Sequence, residues 1–179
     1  EILDVARHSG AGLLVKRPAD LANDSAPKIP AIKHCVLEAE KYGACRYDVV
    51  CDLDPTSPFR TLEDIRNCID LLETRNIQNV ITGAPARKSP YFNLAEIGPN
   101  GYARLSKPLS KQIVRRQDSP RCFDINASIY VWKRDELMAS DSVFLEKTLL
   151  YEMPRERSIE IDAEFDFEIA AHFAAKGLL

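Results

Sequence analysis

The sequence predicts an α/β fold, a single domain over residues 1–179 with an antiparallel, β-rich part inserted in its second half. Three observations predict it. Residues 47–60 read as an apolar strand that breaks into Asp54-Pro-Thr-Ser-Pro58 and then opens a helix; proline cannot donate to a ladder, so the strand must stop there. Strand and helix patterns alternate through the first half of the chain, as in sheets with helical crossovers. Beyond residue 94, short extended runs and turn residues replace that alternation.

Each element has its own signal. Ile2, Leu3, Val5 and Ala6 keep helical spacing up to Gly10. The chain begins at Glu1 rather than methionine, so this helix reads as the tail of an element whose beginning is missing. Residues 13–16 read as a short strand leading into the polar loop Arg17-Pro-Ala-Asp-Leu-Ala-Asn-Asp24. Pro27 and Pro30 set up a helix through Ile32, Val36 and Ala39. The apolar run from Tyr47 reads as a strand buried on both faces in the middle of a parallel sheet. Thr61 and Asp64 form a capping-box-like start for a helix carrying Leu62, Ile65, Ile69 and Leu72 on one face.

A strand follows over residues 79–85, again cut off by proline, and then the polar, aromatic loop 87–93. Residues 94–97 and 102–105, joined by Gly98-Pro-Asn-Gly101, predict a hairpin. A strand over 128–132, a short helix over 134–139 and a strand over 149–153 come next. The chain closes on a helix over 163–176 with Phe165, Ile169 and Phe173 on one stripe.

Of the 179 residues, 45% are hydrophobic and 28% charged, enough for one domain with a sizeable core. The formal charge of −3 argues against nucleic acid or membrane surfaces as partners, since both favour a basic face. No apolar stretch is long enough to span a bilayer and no signal peptide is visible. The five cysteines (Cys35, Cys45, Cys51, Cys68 and Cys122) are odd in number and form no zinc-type pair, so free thiols, buried in strand and helix patterns within a reducing cytoplasm, are expected. The histidines His8, His34 and His172 are isolated.

Three constellations carry chemistry. Because ligands in open α/β sheets bind beyond the carboxyl ends of the strands, Asp52, Asp54, Thr56, Ser57 and Arg60 form the first candidate site. Lys107, Lys111, Arg115, Arg116 and Arg121 crowd one stretch of an acidic chain; they read either as a solvated face or as a grip on a carboxylate or phosphate. In Ser158-Ile-Glu-Ile-Asp-Ala-Glu-Phe-Asp166, Glu160 and Asp162 point to one side if the backbone is extended, an arrangement suited to a hard cation such as Mg²⁺. Asp162 also stands where it can cap the final helix, and both roles can hold together. A strand ending Asp52-Leu-Asp54-Pro-Thr56 further resembles the nucleophile motif of haloacid-dehalogenase-type phosphatases, with Asp52 as the phosphorylated residue.

Taken together, the motifs resemble those of the acylneuraminate cytidylyltransferase family. Residues 17–24 are similar to its Arg-Pro-x-x-Leu-Ala-x-Asp loop, and Asp54-Pro-Thr-Ser-Pro-Phe-Arg60 resembles Gln-Pro-Thr-Ser-Pro-Leu-Arg. Asn126-Ala-Ser-Ile-Tyr130 resembles Asn-Gly-Ala-Ile-Tyr, and residues 158–166 resemble Ser-Ile-Asp-Ile-Asp-Thr-Glu-Leu-Asp. The order is the same and covers almost the whole chain. The resemblance implies a Rossmann-like nucleotidyltransferase fold with a mixed, mostly parallel sheet flanked by helices, and a dimerisation insert within about residues 94–150. It implies CTP and an acidic nine-carbon sugar as ligands, Mg²⁺ as cofactor, cytoplasmic residence and a homodimer, without nucleic acid or membrane as partners.

By position, the resemblance places Arg17, Asp24, Ala26 and Lys28 around the nucleotide. Asp54, Thr56, Ser57, Asn93, Arg116, Asn126 and Tyr130 would line the sugar pocket, and Phe144 of the dimerisation segment would wall the partner's. Glu160 and Asp162 would hold the metal, with Arg116 and Asp162 the residues closest to the chemistry. Asp54 replaces the usual glutamine, Asn93 a lysine and Asp124 an arginine, all of which lower the pocket's positive charge or change its hydrogen bonding. The 54–58 and 86–93 stretches look closer to the legionaminate branch than to the N-acetylneuraminate branch. The family's opening strand and phosphate-gripping Ala-Arg-x-x-Ser-Lys loop are not in this sequence. A polypeptide truly starting at Glu1 would be expected neither to bind CTP nor to fold stably; a third reading is a piece that keeps only the dimerisation surface.

Overall fold

The computed structural model describes residues 1–23, 25–111 and 113–177. Its elements are α1 (Ile2–His8), α2 (Lys28–Gly43), β1 (Val49–Leu53), α3 (Leu62–Thr74), β2 (Asn79–Pro85), β3 (Ala95–Ile97), β4 (Ala103–Leu105), β5 (Phe123–Lys133), α4 (Arg134–Ala139), β6 (Thr148–Glu152) and α5 (Glu164–Ala175). The helices flank a mixed four-stranded sheet in the order β1-β5-β2-β6, while β3 and β4 form a separate hairpin. β5 runs antiparallel to β1, pairing Val49 with Lys133 and Leu53 with Ile129. It also opposes β2, because Lys133 N–H donates to Gln78 O and Ala86 N–H to Cys122 O. β2 and β6 advance together: Gln78 N–H donates to Lys147 O and Met153 N–H to Gly83 O.

Most expected elements form. Thr61 and Asp64 make the reciprocal cap: the Thr61 N–H donates to Asp64 Oδ2 at 2.9 Å and the Asp64 N–H to Thr61 Oγ1 at 3.1 Å. The hairpin turns on Gly98 and Gly101, the latter at φ 81°, where glycine carries no Cβ penalty. Three expectations are corrected. Residues 13–16 form no strand; Pro18 follows closely and the short run joins no ladder. β1 does not lie inside a parallel sheet but ends the strand order, antiparallel to its neighbour, with Cys51 and Leu53 exposed. In α5, Phe165 is 69% exposed and Ala170 is the buried residue, so the apolar stripe is narrower than its spacing suggests. Among the cysteines, all free, Cys68 is buried while Cys35, Cys45 and Cys51 keep exposed surface.

The chain divides into two compact units. The first comprises Glu1–Leu53, Ile65–Ile81 and Ile129–Leu149. Its core is apolar, with Ile29, Val36, Leu72, Val80, Ile81, Ile129, Val131, Trp132 and Leu137 withdrawn from water. Tyr130 and Trp132 stack with ring centroids 5.5 Å apart. A two-pronged pair from Arg134 to Glu40, 2.9 Å at each prong, ties α4 to α2.

The second unit comprises Asp54–Asp64, Thr82–Ser128 and Leu150–Leu179. Its buried residues are unusually polar: Ser57, Asp64, Thr82, Ser89, Asn126 and Ser128 join Ala84, Ala86, Met153 and Ala170. Most buried polar groups are hydrogen-bonded, and those bonds shape the candidate site; the Ser128 hydroxyl is buried without a partner among the described residues. The backbone comes very close at Gly83, where a Cβ would lie 2.8 Å from the Asp124 carbonyl oxygen.

Candidate active site

The second unit holds the proline corner and the acidic segment side by side. Asp54 makes the turn: its Oδ1 accepts the Thr56 N–H at 3.2 Å and the Thr56 hydroxyl at 2.9 Å. Arg60 Nη1 donates to the carbonyl oxygens of Asp54, Ser57 and Ser128, stitching the corner to β5. Ser57 is fully buried and its hydroxyl donates to Asn126 O at 2.8 Å. Ile161 N–H donates to Thr56 O at 2.9 Å, which lays the 158–162 segment directly against the corner.

Asn126 is the hub. Its Oδ1 accepts from the Thr82 hydroxyl at 2.7 Å and the Ser128 N–H at 3.2 Å, and its Nδ2 donates to Ser158 Oγ at 2.9 Å. The next residue, Ala127, sits at φ 47° in the left-handed region that an L side chain rarely adopts. This local reversal of β5 turns the Asn126 side chain and carbonyl toward different partners.

The metal candidates differ in their commitments. Glu160 is half-buried and lines a cavity of about 350 Å³ with Arg87, Asp124, Asn126, Arg155 and Ser158. Asp162 is exposed, and among the described residues its carboxylate joins no hydrogen bond or ion pair. The expected cap on α5 is made by Asp166 instead, whose Oδ2 accepts the N–H groups of Asp162 at 3.1 Å and Ala163 at 2.9 Å. Among the described residues no group of three or more His, Cys, Asp and Glu side chains is arranged for a metal. Glu160 and Asp162 carry oxygen donors, the ligand type that a hard cation such as Mg²⁺ takes.

The basic stretch is partly spent. Arg115 pairs with Asp118 at 2.9 Å, Arg121 with Glu152 at 2.7 Å, and the Lys107 ammonium lies 5.7 Å from the Tyr91 ring centre. Arg116 donates to Ala86 O at 2.6 Å and lines a cavity of about 380 Å³ with Lys88, Ser89, Ser119 and Phe123. Asn93 accepts the Ser89 N–H at 2.8 Å, so its amide oxygen shapes the 89–94 loop.

In the first unit, Lys28 opens α2, meets Asp52 at 2.7 Å and lies 4.7 Å from the Tyr130 ring centre. A nucleotide candidate and a sugar candidate are thus in contact. Partial burial pushes the Cys35 thiol up from its usual value, Asp52 adding to the effect and Arg17 opposing it, which sets Arg17 in the same neighbourhood. Ala26 precedes the helix, and Asp24 lies outside the described residues. Phe144 is 59% exposed.

Sequence reasoning missed Arg155, Ser158 and the pair Asp64–Arg157. Asp64 is 1% exposed, and its Oδ1 accepts Arg157 Nη2 at 2.8 Å. Burial alone would raise its pKa; the Arg157 bonds and those from Thr61 outweigh that and hold it below the ordinary carboxylate range.

No protein-family model matches the sequence. The CMP-N,N'-diacetyllegionaminic acid synthase of Campylobacter jejuni is 39% identical over 169 residues, covering 94% of this chain and 71% of that protein. The chain belongs to this cytidylyltransferase family. An N-acylneuraminate cytidylyltransferase of Streptococcus agalactiae is 23% identical over 164 residues, covering 92% of this chain and 38% of that protein. Among solved structures, a 4-diphosphocytidyl-2C-methyl-D-erythritol synthase from Anaerococcus prevotii matches with a TM-score of 0.51 at 16% identity, over 80% of this chain and 66% of that one, a likeness of fold.

Membership in the cytidylyltransferase family replaces the phosphatase reading of Asp52. The geometry agrees, since the Asp52 carboxylate is committed to Lys28. No helix among the described residues is long and apolar enough to cross a membrane.

Proposed function

We propose that the protein transfers CMP from CTP to the anomeric hydroxyl of a nonulosonic acid, preferring a legionaminate-type diamino sugar to N-acetylneuraminate. The hydroxyl oxygen forms a bond to the α-phosphorus of CTP and loses its proton, while the bond to the β-phosphate oxygen breaks and pyrophosphate leaves. One observation carries this reading: the Ile161 N–H to Thr56 O bond of 2.9 Å, which sets the segment bearing Glu160 and Asp162 beside a proline-stiffened polar corner.

Glu160 and Asp162 would hold Mg²⁺, whose charge neutralises phosphate oxygens in such displacements. Arg17, Ala26 and Lys28 contact the nucleotide. Thr56, Asn93, Arg116 and Tyr130 face the sugar, with Asp54, Ser57 and Asn126 holding that surface in shape by the bonds described above. The active form is a cytoplasmic homodimer in which Phe144 contributes to the partner's sugar pocket. The 39% identity to a legionaminic acid synthase supports the choice of sugar.

Pyrophosphate release by the intact protein, with CTP and MgCl₂ and each sugar in turn, tests the proposal. Faster turnover of N,N'-diacetyllegionaminic acid is expected. A clear preference for N-acetylneuraminate would overturn the sugar assignment, and no release with either would overturn the whole reading.

A further inference from the structure

Asp64 has more partners than a helix cap requires. Capping uses Oδ2, which accepts the Thr61 N–H at 2.9 Å and hydroxyl at 2.8 Å. The same oxygen also takes Arg157 Nε at 3.1 Å, while Oδ1 takes Arg157 Nη2 at 2.8 Å and the Tyr151 hydroxyl at 3.3 Å. A buried ion pair is a weak source of stability because desolvation offsets most of its attraction; its best-attested use is to fix one arrangement among several.

What this pair can fix is clear from its neighbours. Arg157 immediately precedes Ser158, which begins the segment bearing Glu160 and Asp162. Residues 158–162 belong to no helix or strand and have no ladder of their own. Among their anchors are the Arg157 fork on Asp64, the Ser158 hydroxyl, which accepts from Asn126 Nδ2 and donates to Pro154 O, the Ile161 N–H on Thr56 O and the Asp162 N–H on Asp166 Oδ2. Asp64 and Thr56 lie at the two ends of one short stretch, so the acidic segment is gripped twice by the same corner. We infer that Asp64 and Arg157 are positioning residues that set the placement, and hence the metal affinity, of the Glu160–Asp162 pair. The inference rests on the cytidylyltransferase reading of this site, and a displacement of about 1 Å at such a site is enough to cost two orders of magnitude in rate.

The test compares the intact protein with its Asp64→Asn, Arg157→Met and Arg157→Lys variants. Asparagine keeps an acceptor for the Thr61 cap but removes the charge; lysine keeps the charge but loses the fork. The Mg²⁺ concentration for half-maximal pyrophosphate release is expected to rise about tenfold in Asp64→Asn and Arg157→Met, with Arg157→Lys between them and wild type. Amide hydrogen exchange, read without substrates, is expected to quicken about tenfold or more at residues 158–162 while β2 and β5 keep their rates. Unchanged Mg²⁺ dependence, or exchange that quickens uniformly with a lowered melting temperature, would show a merely structural pair and overturn the inference. Should Asp64→Asn fail to fold, Arg157→Lys decides by the same two readouts. Absence of pyrophosphate release from wild type would instead count against the functional reading, and the exchange measurement would still judge the positioning role.

Discussion

The backbone N–H of Ile161 lies 2.9 Å from the carbonyl oxygen of Thr56. That bond joins two stretches more than a hundred residues apart, and it places the carboxylates on either side of Ile161 next to the corner that follows β1.

Asp162→Ala removes a carboxylate that makes no hydrogen bond or ion pair among the described residues. Activity is expected to fall by more than about 100-fold, with the melting temperature nearly unchanged. Glu160→Asp keeps the oxygen ligands and shortens their reach by one methylene, so much of the activity is expected to remain. Steady-state pyrophosphate release with calorimetry on the same samples checks both. An active Asp162→Ala enzyme would remove Asp162 from the metal site.

Ala127 holds φ 47° within β5, where a Cβ costs about 1–2 kcal/mol. Glycine removes that cost, and its greater freedom in the unfolded chain returns about 0.4–1 kcal/mol. Ala127→Gly is therefore expected to stabilise the protein by about 0.5–1 kcal/mol, or about 1–4 °C in melting temperature. A lower midpoint in thermal or urea unfolding would refute the strain argument.

Gly83 is the opposite case. An added Cβ would meet the Asp124 carbonyl at 2.8 Å and Leu150 Cδ1 at 3.4 Å, and the first of these is backbone that cannot rotate away. Gly83→Ala is expected to lose about 1–3 kcal/mol by overpacking. Urea unfolding followed by circular dichroism would detect it.

Asp64 couples the same unit to acid. Its carboxyl titrates lower in the folded protein than in the unfolded chain, because the Arg157 and Thr61 bonds outweigh its burial. The stabilisation is complete above the unfolded value of about 3.9 and is lost as pH falls through the lower folded value. Asp64→Asn is therefore expected to lower stability at neutral pH and to narrow its gap from wild type as the solution is acidified below about pH 4. Parallel urea titrations at several pH values would show it; a gap that widens on acidification would contradict the sign.

What could be read beforehand was what short-range chemistry dictates. The Thr61–Asp64 cap, the Gly98–Gly101 turn and the prolines that end β1 and β2 all act within a few residues, and each stands where its residue types demand. The place of β1 in the sheet did not follow, because apolar periodicity says which faces avoid water and not which strand lies alongside. The same limit hid Arg157 from Asp64, which is 93 positions away, and the hub role of Asn126, whose partners come from β2, the corner and the segment after β6. The acids of residues 160–166 were legible as a group, but their division of roles depended on how one helix begins.

That division reaches further. By turning back over the first turn of α5, Asp166 accepts the N–H groups of Asp162 and Ala163, and among the described residues the Asp162 carboxylate makes no hydrogen bond or ion pair of its own. If Glu160 and Asp162 hold the ion as proposed, loss of the Asp166 side chain would weaken its capture by diverting a neighbour rather than by deleting one.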